Sequence, residues 1–148
     1  MALFVEIVSP EAALWSGPAS ALVARSSAGL FTVLDHHTAL VGDLVAGVVR
    51  VQTTEGEISF AVHGGYFQVG PGPEPNTTLA TVLAGVAERT TEIDLARAQI
   101  AKEAAEAQLA SVKGDELDGA AHFAALQALE RAQLRLRVGA KTSGVSPA

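Results

Sequence analysis

A chain of 148 residues, 49% of them hydrophobic, has room for one ordinary domain or for a small domain with an appendage, and is too apolar to be disordered. Ten basic residues against sixteen acidic ones leave a net charge of −6, which argues against nucleic acid and against direct attachment to anionic lipid, because both rest on lysine and arginine meeting phosphates. The absence of cysteine excludes a disulfide framework and thiolate chemistry.

From the start, Leu3, Val5 and Ile7 alternate with Phe4, Glu6 and Val8, which predicts a strand whose two faces are both largely apolar. The segment has no basic start and carries Glu6 inside it, so it does not read as a signal peptide. Nor is any uncharged apolar run long enough to span a bilayer. Leu14–Ser16 predicts a short edge closed by Gly17 and Pro18, and Ala21–Arg25 a further strand. Gly29 opens Leu30–Leu34, and Asp35, His36 and His37 form a polar tip. Leu44–Thr53, rich in β-branched residues, is the longest predicted strand; Thr54–Gly56 turns it back into Ile58–Val62 as a hairpin. Gly64 and Gly65 predict a sharp bend, Gly70–Pro75 a stiff loop, and Leu79–Leu83 a last strand. Short strands with turns at close intervals predict an antiparallel β-sandwich or barrel.

The character changes near Leu83. No proline stands between Pro75 and Pro147, and the stretch is rich in alanine, which predicts helix. Thr91 followed by Asp94 resembles a capping box, placing a first helix from about Glu92 to Val112, with Lys113 and Gly114 as its basic last turn and left-handed cap. Asp115 or Asp118 caps a second helix that runs to about Val138 and stops at Gly139. So short a connection makes the two an antiparallel hairpin. The expected fold is thus α+β in two parts: a β-sandwich over residues 1–86, a helical hairpin over 87–139, and a flexible tail over 140–148. Phe123, Leu126, Leu129, Ala132 and Leu136 form the expected buried stripe of the second helix. Ile93, Ala96, Ile100, Ala104 and Ala107 form that of the first, with Leu95 and Leu109 opposite. So many small residues bury little area, which predicts a weakly docked hairpin.

No constellation of residues predicts catalysis. Gly64-Gly65 lacks the lysine and helix of a phosphate loop, and no nucleophile elbow occurs. His36 and His37 are adjacent, so on an extended segment they point opposite ways, which favours a turn or partner contact over a metal site. An antiparallel hairpin brings Asp94 and Arg97 near Arg131 and Arg135. That is either an ion-pair network of small energetic value or an anion site, since guanidinium forks suit phosphate.

Four segments together resemble the bacterial F-type ATP synthase epsilon subunit. Gly29-Leu30-Phe31-Thr32-Val33-Leu34-Asp35-His36-His37-Thr38-Ala39-Leu40 is similar to its first signature, and Phe60-Ala61-Val62-His63-Gly64-Gly65-Tyr66-Phe67-Gln68-Val69 to its second. Ala87-Glu88-Arg89 leading into Ile93-Asp94-Leu95-Ala96-Arg97-Ala98 resembles the start of its helical domain, and Leu129-Glu130-Arg131-Ala132-Gln133-Leu134-Arg135-Leu136 its last helix. The likeness covers Met1 to about Val138. It departs at Thr32, Asp35, His36 and Ala39, where glycine or proline is usual, and in a longer Gly70–Pro75 loop.

The resemblance implies a non-catalytic central-stalk subunit of a proton-translocating ATP synthase, peripheral on the cytoplasmic face of the cell membrane. Its expected partners are the gamma subunit, the c-ring and, through the helices, the catalytic alpha/beta hexamer. The helices are expected to restrain ATP hydrolysis. Leu34, Asp35, His36 and His37 become expected partner contacts. No cofactor is required, but some members bind regulatory ATP, and Glu88, Asp94, Arg97, Ala98, Arg131 and Arg135 match that pattern; Ala104 stands where such members carry another arginine. A free-standing sandwich that presents a hairpin to a soluble protein is the alternative.

Overall fold

The computed structural model describes residues 2–112 and 119–142. It has two compact units, one ending at Arg89 and the other beginning at Thr90. The first holds eight strands: β1 (Ala2–Val8), β2 (Ala13–Ala19), β3 (Ala21–Ser26), β4 (Gly29–Val33), β5 (Leu40–Thr53), β6 (Gly56–Pro71), β7 (Thr77–Ala84) and β8 (Ala87–Arg89). They are hydrogen-bonded in the order β2-β1-β7-β6-β5-β3-β4, and β8 pairs with β6. The pairing is antiparallel except between β1 and β7, which run parallel.

The β5–β6 hairpin generates the sandwich. It keeps a single register from Leu40↔Val69 to Thr53↔Gly56, and only Val45 and Gly64 drop out of the pairing. On one side of that break, Gly65–Pro71 pair onward to β7 and through it to β1 and β2. On the other, β5 pairs with β3, and Phe60–Val62 pair with β8. One bent ladder therefore supplies the central strands of two layers, β2-β1-β7-β6-β5 and β8-β6-β5-β3-β4. Leu3, Val5, Ile7, Leu22, Val33, Val51, Phe60, Val62 and Val82 fill the core.

The double glycine sits in this ladder as a bend within a strand rather than a break between strands. Gly64 and Gly65 have φ of 93° and 145°, a region that side chains other than hydrogen rarely adopt. At Gly65 space also forbids a side chain, because a Cβ would overlap the Leu83 carbonyl oxygen and lie 3.1 Å from Ala84 Cα. Close by, Gly42 lies beneath its cross-strand partner Phe67, whose ring stacks on Phe31 at a centroid distance of 4.3 Å. Burying Phe67 over a glycine explains why β5 begins at Leu40, ahead of the expected Leu44. β2 likewise runs through Gly17 and Pro18, which were expected to end it. As the edge strand it can accept a proline, which has no amide hydrogen to donate.

In the second unit a 3-10 turn (Thr90–Glu92) precedes α1 (Leu95–Ser111), and α2 spans Ala120–Thr142. The cap of α1 is Asp94, not Thr91. Its carboxylate accepts the Arg97 amide at 3.1 Å, so the helix starts later than the expected Glu92. The expected cap residues Lys113, Gly114, Asp115 and Asp118, and the tail from residue 143, lie outside the described residues.

Gly139 does not stop α2, which continues to Thr142. It is a close-approach point instead: a Cβ there would lie 2.8 Å from Leu95 Cδ2 and 2.9 Å from Ile93 Cγ2. The buried face of α1 differs from the one expected, whereas on α2 the expected Leu129, Ala132 and Leu136 do lie on the seam. Ala98 and Ala105 of α1 are buried, flanked by half-buried Leu95, Lys102 and Leu109, a repeat of three and four. Ala125 and Ala132 of α2 repeat it with Leu129, Leu136 and Gly139. This is a coiled-coil seam made of alanine. Ile100 and Phe123, both expected inside, are 66% and 62% exposed. On α1 the expected face was the one carrying Ile93 and Ile100, whereas the helices approach along Ala98 and Ala105 of α1 and Ala125 and Ala132 of α2; Leu134 and Val138 of α2 are buried as well.

Gly65→Ala is expected to combine positive-φ strain, about 1–3 kcal/mol, with a backbone collision. Its unfolding midpoint in denaturant should fall well below that of Gly70→Ala, since a Cβ on Gly70 meets nothing within 4 Å.

Candidate functional site

The loop between β4 and β5 carries Leu34, Asp35, His36 and His37, and it is held by β7. Thr78, itself buried, donates its hydroxyl hydrogen to Asp35 Oδ1 at 3.2 Å. The His36 amide donates to Thr78 Oγ1 at 2.9 Å and to Asp35 Oδ1 at 3.0 Å. The short polar loop thus rests on a strand more than forty residues away. His36 adopts φ 62°, the left-handed conformation for which glycine is the easy choice; these hydrogen bonds offset the strain.

The two imidazoles go different ways. His36 Nε2 lies 3.5 Å from Asp35 Oδ2, while His37 Nδ1 is 2.8 Å from the Thr38 carbonyl. Among the described residues no group of three or more His, Cys, Asp or Glu side chains gathers. What the tip presents outward is Leu34, with Leu40 and Val41 exposed on the strand that follows. A rigid polar loop flanked by exposed aliphatic side chains suits contact with another protein. Thr78 is the residue that sequence reading missed here, since nothing in a β-strand threonine marks it as a loop anchor.

The other expected site residues divide between the two units. Asp94, Arg97 and Ala98 form the first turn of α1, with Asp94 committed to capping and Ala98 buried in the seam. Arg131 and Arg135 are half-buried and four apart on α2, hence on one face. Ile93 and Leu95 meet Gly139, so the start of α1 and the end of α2 lie side by side, and the cations and Asp94 share one end of the hairpin. Glu88 belongs to the first unit, on β8, where its Oε1 is 4.0 Å from Nε2 of His63, a side chain only 5% exposed. His63 is a further residue that sequence reading passed over; its one signal was its place just before the double glycine.

The ATP synthase delta/epsilon beta-sandwich domain matches residues 2–90 of the chain, and the long alpha-helix domain of the same family matches residues 91–139. The ATP synthase epsilon chain of Synechococcus elongatus is 36% identical over 137 residues, covering 93% of this chain and 94% of that one. That of Bordetella avium is 38% identical over 140 residues, covering 93% and 95%. Two solved structures share the fold. A chain of the Euglena gracilis mitochondrial ATP synthase, determined as an OSCP/F1/c-ring assembly, superposes with a TM-score of 0.70 at 23% identity, covering 88% of this chain and 76% of that one. A chain of the central stalk and c-ring of the Tetrahymena thermophila enzyme gives 0.57 at 16% identity, covering 93% and 96%.

Thr78→Val should remove the hydroxyl that anchors Asp35 and the His36 amide, costing about 1 kcal/mol. Amide hydrogen exchange should speed up across residues 34–38 and stay unchanged in β3. The two family models together match residues 2–139, and the chain belongs to the ATP synthase delta/epsilon family as a non-catalytic epsilon chain.

Proposed function

We propose that this chain works as the rotor-stalk subunit of a proton-translocating F-type ATP synthase, coupling proton flow to ATP synthesis, and that its helices restrain ATP hydrolysis. The observation that carries the reading is the pairing of a rigid sandwich with an alanine-seamed hairpin, matched in both parts by the family. The sandwich stands beside the gamma subunit, and the Leu34–His37 tip meets the c-ring. Among the described residues no helix is long and apolar enough to cross a membrane. The chain is held peripherally, on the cytoplasmic face, by its partners.

Two features support a hairpin that changes partners. A seam of Ala98, Ala105, Ala125 and Ala132 removes little surface from water compared with leucine, which contributes roughly 1.5–3 kcal/mol when buried. Ile100, Phe123 and Leu126 are exposed and form the apolar surface that the alpha/beta hexamer would cover. Hydrolysis by the assembled enzyme should rise several-fold when the chain is ended at Arg89, which keeps β8 in the sheet. An unchanged rate would leave the subunit a coupling role only.

Regulatory ATP is part of the same proposal, with Arg97, Arg131 and Arg135 meeting the phosphates and Glu88, Asp94 and Ala98 completing the site. At one hundred times its dissociation constant a ligand adds about 2.7 kcal/mol to the state it prefers, enough to bias so thin a seam. Calorimetric titration of the isolated subunit with ATP should show saturable heat that Arg131→Ala and Arg135→Ala each weaken; a flat trace for the wild-type chain would remove ATP from the mechanism.

A further inference from the structure

We infer that the proline–glycine loop Gly70–Pro75, longer than is usual in the family, is a second foot beside the Leu34–His37 tip, and that Glu74 meets a basic side chain of the c-ring there. This rests on the stalk reading above and adds to it a loop particular to this chain, the residue that holds it and the charge of its partner.

Register places the loop and the tip together. Leu40 of β5 lies opposite Val69 of β6. The chain that enters β5 through residues 34–39 and the chain that leaves β6 through residues 70–76 are therefore at one end of the ladder. β7 begins there, with Thr78 opposite Pro71, and its first two residues divide the work. Thr78 is buried and holds the tip through Asp35 and the His36 amide. Thr77 precedes it in the strand, so it is turned to the other face, and it holds the loop. The Gly72 amide donates to the Thr77 carbonyl at 2.8 Å, and the Thr77 amide donates to the Glu74 carbonyl at 3.3 Å. The Thr77 hydroxyl donates to that same carbonyl at 2.6 Å and accepts the Glu74 amide at 3.3 Å. A Cβ on Gly72 would collide with this hydroxyl, and Asn76 closes the turn at φ 61°.

Surface loops tolerate insertions, and an idle one needs no order. This one is ordered twice over. Pro71, Pro73 and Pro75 fix φ at every second position, and the hydrogen bonds to Thr77 close it on the strand. Pro73, Glu74 and Pro75 are exposed, yet held in place before any partner arrives, which lowers the entropy lost on contact.

Charge selects the occupant. Residues 34–41 and 69–78 include Asp35 and Glu74 and no lysine or arginine. Asp35 is engaged by Thr78 and His36, whereas the Glu74 carboxylate makes no hydrogen bond or ion pair among the described residues. An acidic end disfavours a second copy of itself and an anionic membrane surface. The loop is continuous with the tip, so its partner is the tip's partner, meeting Glu74 with a lysine or arginine.

Because the chain has no cysteine, single labels report cleanly. In the assembled enzyme, Glu74→Cys and His37→Cys, each carrying a photo-crosslinker, should join to the c-ring. Joining from His37 alone, or from Glu74 to gamma, would sink this inference and leave the stalk reading intact; joining from neither would sink the c-ring placement of the tip with it. In vesicles that hold the assembled enzyme, Glu74→Lys should lower ATP-driven proton pumping per ATP hydrolysed about twofold or more, and Glu74→Gln by less. Wild-type pumping in Glu74→Lys, with the chain retained in the complex, would remove the cation from the contact. Thr77→Val should speed amide exchange across residues 72–76 and leave residues 34–38 unchanged; equal acceleration of both segments would overturn the division of work between the two threonines.

Discussion

The close approach of Gly65 to the Leu83 carbonyl lets one hairpin serve two layers. β5 and β6 keep a single register along their whole paired length, so the chain never chooses afresh which residues point inward; the bend redirects the ladder without slipping it. A one-residue slip would send Val49, Val51, Phe60 and Val62 to the solvent side. With the register fixed, β7 falls beside the second half of β6, Thr78 comes under the β4–β5 loop, and Asp35 and His36 acquire their anchor. The tip's geometry is thus set by glycines that never touch it.

The helical unit rests on the opposite economy. Its seam is built from residues that gain little by burial, and what it gains comes from backbone proximity, as at Gly139, where Leu95 and Ile93 occupy the space of a side chain. Lys102, at a seam position, sends its amine to Glu106 at 3.9 Å and covers apolar surface with its stem. A seam of small residues thus turns inward while Ile100 of α1 and Phe123 and Leu126 of α2 stay exposed; the larger Leu134 and Val138 of α2 are buried too.

The face of α1 is also where sequence reading failed, with Ile100 exposed and Ala98 and Ala105 buried, and the reason is physical. Hydrophobic periodicity identifies stripes by the free energy of burying them, so it ranks isoleucine and phenylalanine above alanine. It has no term for how close two backbones come. The strands were easier. β1 and β7 alternate regularly, and turn residues mark the ends of most elements. The errors there cluster at glycines and prolines whose meaning depends on neighbours far away in sequence: Gly42 under Phe67, Pro18 on an edge, Gly64-Gly65 within a ladder. β8, three residues long, has no pattern of its own and exists because β6 offers it an edge. Of the candidate site, the polar tip and the cationic hairpin end were legible as compositions. The tip's support, Thr78, was not, since it acts through Asp35 and His36 more than forty residues away; nor was the pairing of His63 with Glu88.

The sandwich is guarded where chance pairing would be harmful and open where it is not. Unpaired strand edges invite addition of another strand. Here the edge strand β2 carries Pro18, which cannot donate, and the opposite edges, β4 and β8, are short. The broad face formed by β1, β7 and β6 receives no such protection; its apolar residues are interrupted by a carboxylate near the middle rather than shielded by charge throughout. Strand propensity alone explains valines and a tyrosine on an exposed sheet. It does not explain Glu6 held half-buried in a cleft with two prolines for a wall. Blocked edges disfavour strand addition, so contact with another protein falls to the side chains of the exposed face.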